Sequence, residues 1–205
     1  MGRAQVVVAV ALGLAVLAPA AAAQEATPAG LPVTPDPAEC MVAPRPLEDF
    51  AALIGTPVPA PLENFERPRG EPADPETTAA VTATVRELVA CFNAGDWPRA
   101  AALYTDAGFA EDFARTTVED LDVLAATPQA IPEMGRVALI TVRDIETLPD
   151  DRVGAVVMVG AEGTDDTVYF LYFAQENGRW LVDSFVDEYD EGMAATPAAG
   201  TPATS

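Results

Sequence analysis

The sequence predicts an α+β fold in which helices come first and an antiparallel sheet follows. Two observations carry this. Between residues 74 and 126 apolar side chains recur at helical spacing. From Arg136 onward Val, Ile, Tyr and Phe dominate, in segments separated by short turn sequences.

Before that body lie two other segments. Residues 1–23 read as a cleavable export signal: Arg3 supplies a positive start, and Val6 to Leu17 follow without a charge. Twelve helical residues span roughly 18 Å, short of the ~30 Å hydrocarbon core, so no membrane anchor is expected after cleavage. Ala21 and Ala23 fit the small-residue cleavage rule, and the mature chain starts near Gln24. The expected location is secreted or extracytoplasmic. Residues 24–73 form a Pro-rich arm, expected to be extended and mostly irregular because proline removes backbone donors. Within it Leu47 to Ile54 predict a helical turn or two, stopped by Gly55, whose apolar side chains need cover from the main domain.

The α+β body is expected over residues 74–192. Asp74 followed by Pro75 is a helix start, and Val81, Val85, Leu88, Val89 and Phe92 make one apolar stripe down to Gly95. Asp96 caps a second helix, from Trp97 to about Tyr104. Residues 107–126 carry two shorter helical patterns, Phe109 with Phe113, and Val118 with Leu121 and Leu124. Strands are expected at 136–147, 152–161, 166–175 and 179–189. Their short links, including an Asn177-Gly178 pair suited to a type I′ hairpin, predict a four-stranded antiparallel meander. The Thr-, Pro- and Ala-rich residues 193–205 are expected to be disordered.

Composition removes several functions. There are 32 acidic residues against 11 basic ones, a net charge of -21, which repels phosphate backbones and argues against nucleic-acid partners. Every basic residue is Arg and there is no His. That excludes Ser-His and Cys-His nucleophile pairs, imidazole bases and His-ligated metals, leaving acid–base chemistry to Asp, Glu or Tyr. No cofactor and no metal are expected. The acidic run Asp187, Glu188, Asp190, Glu191 lacks the regular spacing of a calcium loop and reads as a solvated face.

Cys40 lies in the arm and Cys91 on the flank of the first helix's stripe, where a covering segment can reach it. In an exported protein with two cysteines, a bridge is the natural reading. A buried Cys91 beside a free or intermolecularly paired Cys40 is the alternative.

The stretch Asn93-Ala94-Gly95-Asp96, a short helix, then Leu103-Tyr104-Thr105-Asp106 resembles the opening of the nuclear transport factor 2-like superfamily, which includes the SnoaL-like proteins. There a long helix leads to N-x-G-D, a short helix and L-Y-x-D. The closing strands, with Glu176-Asn177-Gly178-Arg179-Trp180-Leu181-Val182, are similar as well, so the resemblance covers about residues 75–189. It implies an exported, bacterial-type member with a cone-shaped fold: N-terminal helices packed on a bent four-stranded antiparallel sheet, and an apolar pocket between them. The superfamily holds isomerases, dehydratases and epoxide hydrolases beside many non-catalytic members.

Three residues are weak catalytic candidates. Tyr104 and Asp106 match L-Y-x-D, yet Tyr there also serves packing, and Asp a turn or cap. Asp183 alternates with Leu181 and Phe185, so on the concave face it is a buried base and on the other a surface acid. The leading expectation is a non-catalytic exported module binding an apolar small molecule or a protein partner through the pocket or a sheet face. The alternative is an isomerase or lyase using a buried carboxylate with Tyr for proton transfer. A homodimer through the outer sheet face is a third expectation.

Overall fold

The computed structural model describes residues 32–57 and 65–187. Residues 1–23, where an export signal is expected, the tail at 193–205, and Glu188, Asp190 and Glu191 lie outside the described residues. Among the described residues five α-helices precede the long strands: α1 (Leu47–Leu53), α2 (Pro75–Ala94), α3 (Trp97–Ala101), α4 (Asp106–Asp112) and α5 (Val118–Ala125). The sheet contains β1 (Glu71–Pro72), β2 (Val137–Thr147), β3 (Val153–Ala161), β4 (Thr167–Glu176) and β5 (Arg179–Asp187), in that order and antiparallel throughout.

The α+β class stands, but the expected four strands are five. The additional strand, β1, lies inside the Pro-rich arm, where Glu71 pairs with Thr147 and Pro72 with Glu146. Proline hides a strand from sequence because it cannot donate to a ladder. At an edge that donor is not needed.

Local chemistry explains most boundaries. The Asp74 side chain accepts from the amides of Glu76 and Thr77 and starts α2, and Gly95 ends it in the left-handed region at φ 59°. Val81, Val85, Leu88 and Val89 are buried along the stripe, as the spacing predicts. Asn177 and Gly178 both take positive φ and form the tight turn between β4 and β5.

Two helices stop earlier than their sequences suggest. The second was expected to reach Tyr104, but α3 ends at Ala101 and the chain turns extended. The Thr105 amide donates to the Val182 carbonyl and the Val182 amide to the Leu103 carbonyl, both at 2.9 Å. Pairing with the edge of β5 therefore wins over helix propensity. Likewise α4 closes at Asp112, so Phe113 packs from a cap position instead of a helical stripe.

The arm is fastened to the body at several points. Val33 exchanges backbone hydrogen bonds with Leu139. Cys40 and Cys91 form a disulfide between the arm and α2. Phe50 of α1 is fully buried, edge-on to Phe109 at 4.9 Å and to Phe113 at 5.3 Å, which supplies the cover its helix needs. On the opposite side of the sheet, Phe65 and the Arg67 guanidinium lie over Phe170, and Arg152 lies over Tyr172. The chain's own side chains thus cover part of the face through which dimerisation was expected.

Candidate functional site

A cavity of about 240 Å³ lies between α2 and the inner face of the sheet. The helix contributes Leu88, Val89 and Phe92, and the strands Val157, Leu171 and Phe185. These positions follow from sequence period. The α2 residues lie on its apolar stripe, and Leu171 pairs with Phe185 across β4 and β5, so their side chains share a face. Polar atoms enter the wall at Tyr104, Tyr169 and Asp112.

Tyr104 is placed by the extended segment after α3, whose bridge to Val182 fixes its backbone. Asp112 is the last residue of α4, four positions after Gly108 and three after Phe109, both buried. That helix sits close to β5 because Gly108 has no side chain. A Cβ there would stand 2.5 Å from the Val182 carbonyl oxygen. The close approach brings the Asp112 carboxyl into the wall, where it accepts a side-chain hydrogen bond from Tyr104. Burial pushes the Asp112 pKa above the ordinary carboxylate range, and the Tyr104 hydrogen bond pulls partly back. Burial also lifts Tyr104 well above the usual phenol range, with the Asp112 charge adding to the effect.

The candidates read from sequence divide. Tyr104 lines the cavity. Asp106 does not: its side chain is 96% exposed and pairs with Arg45 at 2.8 Å, on the surface where α4 begins. Asp183 is also outside the cavity wall. Its carboxylate accepts from the Thr105 hydroxyl at 3.0 Å and from the Arg152 guanidinium at 3.2 Å, which ties β5 to its neighbours. The expected alternation with Leu181 and Phe185 fails because the register breaks there. Tyr172 pairs with Ser184 but Phe173 with Val182, leaving Asp183 as the inserted residue of a bulge.

Sequence reasoning missed Asp112. The one trace in the sequence is the apolar Phe109, which a helix puts on the same side as residue 112 three positions later; the burial itself comes from the close approach at Gly108. Among the described residues no group of three or more Cys, Asp or Glu is arranged to hold a metal ion. No helix among them is long and apolar enough to cross a membrane. No family profile, curated protein or solved structure matches the chain.

The raised Asp112 pKa has a consequence for stability. The folded chain holds this proton more tightly than the unfolded chain does. The contribution is therefore complete below the unfolded pKa of about 3.9 and is lost as pH rises through the folded value. At neutral pH the ionised carboxylate is a cost, so Asp112→Asn raises the thermal midpoint there. The gain over wild type shrinks in acid, and melting curves at the two pH values check it.

Proposed function

We propose that this chain is an exported, non-catalytic module of the nuclear transport factor 2-like kind that holds a small apolar molecule between α2 and the sheet. The carrying observation is the cavity: a largely apolar wall into which Tyr104, Tyr169 and Asp112 bring polar atoms. Apolar cavities of about 150 Å³ accept benzene. A space of about 240 Å³ suits a body of bicyclic size. The cavity favours a small molecule over a protein chain as the occupant. Export is supported by the charge pattern of the first residues and by the Cys40–Cys91 bridge, since disulfides persist in oxidising compartments.

Indane, a bicyclic hydrocarbon, tests the binding reading. Titrated into the mature protein, it is expected to shift the methyl resonances of Val89, Val157 and Leu171 in a saturable way and to raise the thermal midpoint. Unchanged methyl spectra up to the solubility limit of indane would remove the proposal.

One observation favours a second reading. Asp112 and Tyr104 stand together in the wall, a carboxyl with a raised pKa beside a phenol. That is the equipment for moving a proton at a bound carbon acid, as an isomerase or lyase does.

A further inference from the structure

We infer that the cavity selects apolar organic cations, with Asp112 receiving an ammonium group and the apolar wall receiving the hydrocarbon body. This rests on the reading of the cavity as a small-molecule site and adds the chemical class of its ligand.

Among the described residues Asp112 is the single carboxylic acid in the cavity wall, and none of the lining residues is an Arg. With no Lys or His in the chain, the wall contains no cationic side chain to neutralise it. The groups facing this carboxyl are Tyr104 and Tyr169 from the cavity side and Glu111 beside it in α4. Arg115 and Asp120 line an outer crevice that Asp112 also borders. Among the described residues Arg115 makes no ion pair with Asp112, and what offsets the burial of this carboxyl is the Tyr104 hydroxyl alone.

One hydrogen bond from Tyr104 leaves the carboxylate with further acceptor positions. An ammonium group fills them with charge-assisted bonds and removes the penalty of an uncompensated buried charge. A neutral hydroxyl gives a weaker bond, and a carboxylate ligand brings a second negative charge to the same place. The rings of Phe92, Tyr104, Tyr169 and Phe185 all border the cavity. Aromatic faces attract organic cations and are compatible with an apolar body, so they serve both ends of such a ligand. Asp112 borders both this cavity and the outer crevice, which includes Trp97 and Val123. The net charge of -21 raises the local concentration of cations around the whole molecule.

The test uses four probes with one shared body: indane, 2-indanol, 2-aminoindane and indane-2-carboxylate, each titrated into the mature protein by calorimetry at neutral pH. The amine is expected to bind at least about tenfold more tightly than indane or 2-indanol, and the carboxylate not at all. In Asp112→Asn the ratio of amine to indane affinity is expected to fall to about one. Indane or 2-indanol binding as tightly as the amine would overturn the inference and leave the cavity reading intact. An amine preference that persists in Asp112→Asn overturns it too, because attraction by overall charge would then suffice. If none of the four binds, the cavity reading falls and this inference with it. The wild-type ranking decides the matter even if the variant folds poorly.

Discussion

Replacing Cys40 and Cys91 together by alanine is expected to lower the free energy of unfolding by about 4 kcal/mol, read from urea unfolding curves of oxidised wild type and the double variant. The two cysteines are 51 residues apart in sequence. Joining them removes the conformations in which the ends of that long loop lie far apart, and the effect falls on the unfolded chain. The arm has other contacts with the body besides the bridge. Arg45 reaches the carbonyls of Ala101 and Tyr104, Glu87 accepts from the Met41 and Val42 amides, and Phe50 remains enclosed. The double variant is therefore expected to fold to the same structure with a lower midpoint. Alanine is the correct replacement because Cys91 is fully buried and a serine hydroxyl there would need a partner. A loss below about 1 kcal/mol would mean that the unfolded chain already keeps the arm near α2.

The boundaries that were legible in the sequence are those set by chemistry within a few residues. Asp74 with Pro75, Asn177 with Gly178, and the stripe from Val81 to Val89 each act locally, and the structure places them as their spacing predicts. The Cys40–Cys91 pairing was legible for a related reason, since two cysteines permit one intramolecular bridge. What was not legible depends on partners distant in sequence. Tyr104 leaves its helix because the edge of β5, nearly eighty residues later, offers hydrogen bonds. Asp183 changes role because one inserted residue shifts the phase of β5. A trace of that shift is present in the sequence, as Trp180 and Val182 are two apart while Val182 and Phe185 are three apart. Strict alternation does not produce that spacing. Asp112 reads as an ordinary surface acid after Glu111 until Gly108 lets α4 approach β5, and burial follows from that approach.

Asn93→Ala is expected to cost about 3 to 5 kcal/mol, close to the largest loss a single substitution produces. Its side chain is fully buried and joins three parts of the chain. The amide nitrogen donates to the Pro35 carbonyl at 3.2 Å and the Val137 carbonyl at 3.0 Å, and its oxygen accepts from the Val137 amide at 2.8 Å. One residue near the end of α2 therefore fixes the arm and the first residue of β2. Alanine removes all three bonds and takes the side-chain partner from three backbone groups, the Pro35 carbonyl in a fully buried place and the two Val137 groups in a partly buried one. Each such group costs about 1 to 3 kcal/mol before the site relaxes. Asn93→Asp separates the causes. It keeps an acceptor for the Val137 amide but loses both donated bonds and buries a charge, so it is expected to be at least as damaging as alanine. Equilibrium unfolding gives the loss, and hydrogen exchange at the Val137 amide, accelerated beyond the global change, locates it. A cost below about 1 kcal/mol in both variants would show that water replaces the side chain there. The N-x-G-D stretch would then owe its place to the Gly95 and Asp96 caps alone. With the expected loss, Asn93 is what sets where the sheet begins against α2, and with it the wall of the cavity at Val137.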